Sequence, residues 1–349
     1  MVKRITMTSS TPPRSVPTSR DVAAAAGVSV ATVSHVMNGR DDRRISAATR
    51  ERVLAAARRL NYAPNQSARS LRRRRTERVC LVTGSIGVPA YDRIATDLHE
   101  MADANGYGVI SMIVNSPDRA ERTVELLRQR IADGALIATG LYRYDESALN
   151  ALGDSGFPLV VIGNHVRPHG FDVIAEPEFD ACVEAIEHLV TTGRRRIAFI
   201  GHRSDFARAG HSQRFAAYRE VLNRHGLPLD RGLTVPGADD RVTGYRRAAA
   251  LLTSPEPPDA LFVASDRAAV SAIWAARDHG VDVPGDVAVI GAGNIDDGLI
   301  TQPPLSTVGP QGSVHTTGPR LLFERIESSE PLPGREFVTP WTFVRRKSG

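Results

Sequence analysis

Between Asp21 and Asn38 small and polar side chains recur at helical spacing: Val30, Ala31, Ser34 and His35 fall toward one side of a helical projection, and Val33, Val36 and Met37 toward the other. Hydroxyls and a ring nitrogen among small side chains can reach phosphates and base edges, while the apolar side packs on a neighbouring helix. The surrounding charge fits that chemistry. Residues 1–78 hold 17 Lys or Arg against 5 Asp or Glu, a charge of +12, whereas residues 79–349 sum to −7 within a total of +5. Cationic side chains gain free energy by displacing counterions condensed on phosphate, so a polyanion partner is expected for the head and not for the acidic body.

Holding such a face requires a pair of helices joined by a tight turn. Thr18 with Asp21 reads as a capping box that opens an alanine-rich helix over Asp21–Ala26; Gly27 supplies a turn residue, and Ser29 caps a second helix from Val30 to Asn38. Ser46 caps a third, carrying Val53, Leu54, Ala57 and Leu60 at helical spacing, with Asn61 and Pro64 ending it. The expected organisation is a disordered Ser/Thr/Pro-rich leader (1–17), a helix-turn-helix head (18–63), a hinge and linker (64–77) and a large body (78–349). Pro64–Leu71 is far shorter than the ~12–15 residues an isolated helix needs for marginal stability in water, so it is expected to order only against a partner.

In the body, short and almost wholly apolar runs alternate with helical patterns. The first series is Val79–Val82, Ile94–Asn105, Val109–Val114, Ala120–Ile131, Ala135–Ala138, Glu146–Ser155 and Leu159–Ile162. The second is Cys182–Thr192, Ile197–Ile200, Arg214–His225, Thr243–Leu252, Ala260–Val263, Ala268–His279 and Val287–Ile290. Strands of this kind are buried on both faces by crossover helices, which predicts two doubly wound parallel-sheet lobes with a ligand cleft at the carboxyl ends of the strands. Cys80 and Cys182 lie in apolar runs and read as core side chains.

The chemistry of other function classes is missing. A nicotinamide-dependent oxidoreductase, the natural enzyme alternative on such a body, needs a G-x-G-x-x-G after the first strand, which Gly84-Ser85-Ile86-Gly87 does not supply and Gly291-Ala292-Gly293 leaves incomplete. There is no nucleophile elbow or Walker loop, and His165, His169, His202 and His211 lack ligand spacing, so neither catalytic residues, cofactor nor metal are expected. A secreted solute-binding protein would begin with an apolar signal segment and lack a head. Met1–Pro17 has no such segment, and no apolar run approaches the ~18 residues of a membrane span. The expected compartment is the cytoplasm.

The string D-V-A-A-A-A-G-V-S-V-A-T-V-S-H-V-M-N (Asp21–Asn38), with T-R-E-R-V-L-A-A-A (Thr49–Ala57) and N-Y-A-P-N-Q-S-A-R-S-L (Asn61–Leu71), closely resembles the head of the lactose-repressor (LacI/GalR) family. The resemblance continues through R-I-A-F-I-G (Arg196–Gly201), R-F-A-A-Y (Arg214–Tyr218), S-D-R-A-A (Ser265–Ala269), V-P-G-D-V-A-V-I-G (Val283–Gly291), P-P-L-S-T-V (Pro303–Val308) and F-V-R-R (Phe343–Arg346). It implies an all-α helix-turn-helix head on a periplasmic-binding-protein-like α/β body, acting as a homodimeric repressor of a palindromic operator under a small-molecule effector.

Carried over residue by residue, the resemblance places Val30, Ala31 and His35 at base-reading positions, with Thr18, Ser29, Thr32, Ser34 and Asn38 completing the head's DNA contacts. His35 stands where arginine is commonest, and the V-S-H-V form resembles the purine-repressor branch; a single imidazole discriminates bases less strongly than a bidentate guanidinium. In the hinge it assigns contacts to Asn65, Ala68 and Arg69 and a minor-groove wedge to Leu71. It also implies three crossings between lobes, near Ile174–Glu176, Thr301–Leu305 and Ser329–Leu332, giving one lobe of 78–174 plus 306–328 and another of 175–302 plus 331–349. No leucine heptad follows Phe343, which favours a dimer over a tetramer.

For the effector pocket the resemblance points to Tyr91, Asn164, Arg214, Asp239, Asp266 and Gly293. Gly293 replaces an acid that often accepts sugar hydroxyls, Gly163 falls where some relatives have aspartate, Asn164 where arginine is frequent, and Asp239 where some have an aromatic residue. With two carboxylate acceptors for a sugar diol missing, a simple hexose is disfavoured. Two readings remain: a ligand with an anionic or carbonyl group beside Arg214, or a regulator that has lost effector binding.

Overall fold

The computed structural model describes residues 17–37, 45–63, 75–138, 144–207, 212–311 and 314–349. The chain divides into two compact units, 1–76 and 77–349. The expected leader and most of the expected hinge lie outside the described residues.

In the first unit, α1 (Ser19–Ala26), α2 (Val30–Met37) and α3 (Ala47–Arg59) form a helix-turn-helix with a supporting third helix. The Thr18 hydroxyl accepts from the Asp21 amide, and the Asp21 carboxylate accepts from the Thr18 amide at 2.7 Å, so α1 begins two residues earlier than the apolar pattern indicates. Gly27 ends α1 in the left-handed region at φ 63°, which glycine adopts without strain. Ser46 caps α3 by accepting from Thr49 N. Val22, Ala23, Ala26, Val33, Val36, Val53, Ala56 and Ala57 close a small core over which Met37, Leu54 and Tyr62 pack. This core buries one side of α2 and leaves its other side to solvent.

The second unit holds two sheets of the same winding. The first, β2-β1-β3-β4-β5-β11, is built from β1 (Arg78–Thr83), β2 (Gly108–Ile113), β3 (Gly134–Ala138), β4 (Leu159–Ile162), β5 (Asp172–Ala175) and β11 (Glu336–Val338), all pairs parallel. Its helices are α4 (Pro89–Ala104), α5 (Pro117–Arg128), α6 (Glu146–Asp154) and α13 (Thr317–Glu327). The second sheet, β7-β6-β8-β9-β10-β12, comprises β6 (Ile197–Gly201), β7 (Thr234–Pro236), β8 (Ala260–Val263), β9 (Ala288–Ala292), β10 (Ser306–Pro310) and β12 (Trp341–Val344). It carries α7 (Phe179–Thr191), α8 (Arg203–Ala207), α9 (Gln213–Arg224), α10 (Arg241–Leu252), α11 (Asp266–Asp278) and α12 (Asp297–Ile300). Apolar clusters on both faces of the first sheet and one large cluster in the second lobe account for the continuous apolar strands. Cys80 and Cys182 are free and buried, and burial pushes the Cys80 thiol up to about 12.

Two of the expected crossings are displaced. Ser306–Val308 pairs in parallel with Ile290–Ala292, and Leu305 and Val308 are fully buried, so β10 belongs to the second lobe and the chain crosses after Pro310, not within Thr301–Leu305. The third crossing lies at Thr339–Pro340 between β11 and β12, not at Ser329–Leu332. Lobe membership is therefore 78–175 with 317–338, and 179–310 with 341–349. The reason is directional. Parallel strands of both sheets run toward the cleft, so a chain can change lobes only where a strand ends there. A strand entering from the cleft must run backwards, which is why β12 pairs antiparallel with β10.

A buried charge network secures the first lobe's return segment. Asp172, fully buried, accepts from Arg325 at 2.8 Å and from Arg335 at 2.8 and 3.1 Å, while Arg325 also donates to the carbonyls of Gly170, Leu332 and Pro333. Burial opposes the Asp172 charge, but the two guanidiniums outweigh it and hold its carboxyl below the usual range. Among the described residues no helix is long and apolar enough to cross a membrane.

Candidate functional site

The outward face of α2 is assembled by its cap and its core. Ser29 Oγ accepts from Thr32 N at 3.1 Å and lies 2.9 Å from Thr32 Oγ1, so the two hydroxyls are fixed at the helix start, where amide groups point outward. Val33 and Val36 are buried beneath, whereas Val30 is 42 % exposed, Ala31 is exposed, and Thr32, Ser34 and His35 are half-buried. Small side chains ahead of an imidazole make a face slim enough to enter a major groove. Asn38, Asn65, Ala68, Arg69 and Leu71 lie outside the described residues.

The second site is a cavity of about 680 Å³ between the lobes, lined by the segments that follow the carboxyl ends of strands in both sheets. Tyr91, Asn164, Arg214, Asp266 and Gly293 all line it. Asp239 does not: it is exposed and lies 3.0 Å from His202 Nδ1, and that hydrogen bond lowers its carboxyl pKa.

Each expected polar residue arrives already engaged. Arg214 donates to Glu178 Oε2 from Nε (3.0 Å) and from a terminal nitrogen (2.7 Å), donates to the Ala264 carbonyl, and lies 5.0 Å from the Trp341 ring centroid. Burial works against its charge, but Glu178 more than offsets this and raises its pKa. Asp266, 1 % exposed, accepts from Thr307 Oγ1 at 2.6 Å and from Ile295 N at 3.0 Å; burial still lifts its carboxyl to about 6. Asn164 is a backbone clamp: its amide accepts from Glu176 N at 2.6 Å and donates to Glu176 O at 2.8 Å. Gly293 has φ +131°, a conformation L side chains rarely adopt, so an acid could not replace it without moving the loop.

Sequence reasoning missed Glu176, Glu178, His202, Asp205 and Trp341, all of which line the cavity. His202 lies between two acceptors, Asp239 (3.0 Å) and the Ala264 carbonyl (3.1 Å), and can donate to both only with a proton on each ring nitrogen. Asp205 accepts from Ser212 Oγ at 2.9 Å and from His202 N at 2.7 Å. The segment 176–178 that presents the two glutamates is pinned by Asn164, by Trp341 N on Pro177 O and by Gln213 Oε1 on Glu178 N. Among the described residues, Arg93 bonds Asp296 at 2.7 Å and Arg267 donates to the Gly87 carbonyl at 3.0 Å, joining one lobe to the other. No cluster of three or more His, Cys, Asp or Glu among the described residues could hold a metal ion.

Both parts of the chain resemble known proteins. Residues 18–65 match the description "Bacterial regulatory proteins, lacI family", and residues 186–349 match "Periplasmic binding protein-like domain". The HTH-type transcriptional regulator DegA of Bacillus subtilis (strain 168) is 32% identical over 82% of this chain and 85% of its own length. The repressor PurR of Mannheimia succiniciproducens is 30% identical over 94% of this chain and 98% of its own. Among solved structures, the lac repressor dimer bound to operator and the anti-inducer ONPF superposes with a TM-score of 0.71 at 26% identity, covering 96% of this chain and 99% of that one. The regulator CelR in complex with cellobiose gives 0.64 at 29% identity, over 95% and 100%. Relatives this similar, spanning head and body together, establish that the chain belongs to the LacI family of bacterial transcriptional regulators.

Proposed function

We propose that the protein is a cytoplasmic homodimeric repressor whose paired heads read a palindromic operator and whose interlobe cavity takes a small-molecule effector that sets DNA affinity. It acts by binding alone. The observation that carries this reading is the face of α2 opposite the core, with Val30 and Ala31 exposed and Ser34 and His35 half-buried over a closed apolar cluster, on a segment of charge +12. Phosphate attraction supplies affinity and the small face supplies access to bases. Val30, Ala31 and His35 read bases; Ser29, Thr32 and Ser34 contact phosphates.

Pairing through the body is supported by exposed apolar side chains on three neighbouring helices of the second lobe: Val242 (59 %) on α10, Trp274 on α11, and Leu299 and Ile300 (80 %) on α12. Arg241 bonds Asp297 at 2.7 Å and ties the first of these helices to the third. Buried against a second copy, the patch would bring two heads to the half-sites of one inverted repeat. The repressor names among the relatives support the sign of regulation.

Sequencing of genomic fragments retained by the purified full-length protein tests the reading. An enriched inverted repeat is expected. Retention no stronger than that of random duplex at low ionic strength would overturn it.

A further inference from the structure

The cavity contains six carboxylates among its described lining residues and only two guanidiniums, Arg214 and Arg267. The charges are not equally available. Arg214 is matched by Glu178 and by the Ala264 carbonyl, and Arg267 reaches across to Gly87 O. Both oxygens of Asp205 and both of Asp266 already accept from protein donors. Asp145, at the exposed mouth, accepts from Ser147 N and Oγ.

Glu146, at the same mouth, is exposed to solvent. Set back from the mouth, Glu176 is the carboxylate to which no described donor is directed. Its backbone is clamped on both sides by Asn164, so its position in the wall is set, yet no donor among the described residues reaches its carboxylate. It is half-buried, its charged neighbours are Glu178 and an Arg214 already paired with that Glu178, and burial together with Glu178 pushes its carboxyl up to about 7. A carboxylate held in a cavity beside a second carboxylate is an electrostatic demand that the protein leaves unmet.

We infer that the effector is a small organic cation whose ammonium group is held by Glu176. An anion would face Glu176 and Glu178 and find most donors of Arg214 committed, and a neutral polyol would bring no counter-charge to a carboxyl that burial and Glu178 push toward its neutral form. A bare metal ion does not suit walls that include Ile94, Ile137, Val161, Ile162 and Trp341, which call for an apolar or ring-shaped body behind the charge. The exposed Glu146 and Asp145 at the mouth favour entry of the same sign of ligand. The inference rests on the regulator reading only in naming this ligand an effector; the charge of the ligand follows from the cavity alone.

Thermal unfolding of the full-length protein with charge-matched sets tests it: glucosamine, glucose and glucuronate as one set, and 6-aminohexanol, 1,6-hexanediol and 6-hydroxyhexanoate as another, each at millimolar concentration. The ammonium member of at least one set is expected to raise Tm by roughly 3 °C, and its neutral and anionic partners by less. Glu176→Gln should abolish the shift while unfolding at the wild-type temperature or above, since an amide needs no counter-charge. Should that variant fold poorly, Glu176→Asp keeps the charge and is expected to retain the ammonium preference at reduced strength. A neutral or anionic member shifting Tm as much, a shift that survives Glu176→Gln, or no shift from any of the six overturns the inference. Operator retention in the same samples separates the two readings. Release of DNA by a neutral sugar would keep the regulator and discard the cation, whereas an ammonium shift in a protein that holds no operator would do the reverse.

Discussion

In the head, the polar bonds that shape the helices span three residues: Thr18 to Asp21, Ser29 to Thr32, Ser46 to Thr49. In the body, those that shape the cavity and the lobe behind it span far more of the chain: Arg214 reaches Glu178 across 36 positions and Asp266 reaches Thr307 across 41 at the cavity, and Asp172 reaches Arg335 across 163 within the first lobe. The head satisfies its helix ends locally and turns one side of α2 away from its apolar core. The body commits its charges to one another across distant positions of the chain, and what it offers a ligand is the remainder. The arginine and aspartate that the family resemblance points to, Arg214 and Asp266, are engaged by protein partners, and on the inference above the charge offered to a ligand is that of Glu176.

The contrast can be broken most severely at Arg214. Arg214→Ala leaves Glu178, 15 % exposed at its side chain, without a counter-charge, and removal of one partner from such a pair costs ~3–5 kcal/mol. Calorimetry should show the body's transition lowered by roughly 10 °C, with operator binding retained below it. If the body's transition is unmoved, Arg214 is a ligand contact rather than a strut.

Next in size is Leu71→Ala. On the family resemblance that residue wedges into the minor groove, and losing a contact that offsets a few kcal/mol of unstacking should weaken operator binding on the order of 100-fold. The body's unfolding should not change. A gel-shift titration giving wild-type affinity would remove the wedge.

Smaller still, Ser46→Ala deletes a cap and should cost the head ~1 kcal/mol, lowering its own melting transition and leaving the body's where it was. Loss of stability in both units together would show that the head's bonds are not as local as they look.

The smallest effect is on pH dependence. Glu176 is raised to about 7 from an ordinary 4.5, so between those values the folded state holds a proton that the unfolded state has released, and stability falls as pH rises through that window. Asp266, raised to about 6, adds the same sign, while His315, lowered by burial and Arg93, opposes it near neutrality. The difference between Glu176→Gln and wild type isolates the first contribution: the variant's advantage in Tm should grow from about pH 4.5 to about pH 7 and level off above that, by less than ~1 kcal/mol once screening at a half-buried site is allowed for. An advantage that is flat with pH would place the Glu176 pKa in the ordinary range.

Strands were the most legible part of the body. Leu159–Ile162 and Ala260–Val263 are bounded in the structure as the apolar runs bound them, because a strand buried on both faces has no polar position to blur its ends. Helix starts were less so: α4 begins at Pro89 rather than Ile94, since its first turn has only one side to bury and the apolar period has not yet begun. Short elements such as α8, β7 and β11 carry too few residues to show a period. Arg214, Asp266, Tyr91, Asn164 and Gly293 were legible as cavity residues through the family resemblance, but Glu176 and Glu178, in a stretch reading Ala175-Glu176-Pro177-Glu178-Phe179, had no signal of their own.

What the amino-acid order determined unaided is whatever depends on neighbours a few positions apart: the caps and turn of the head, the sidedness of α2, the apolar strands, and the opposite charges of the two units. Tertiary structure decided where the chain changes lobes, which partners neutralise Arg214 and Asp266, and which carboxylate is left over. Those are properties of pairs brought together from distant positions, and the field at Glu176 is a sum over them that no local window contains.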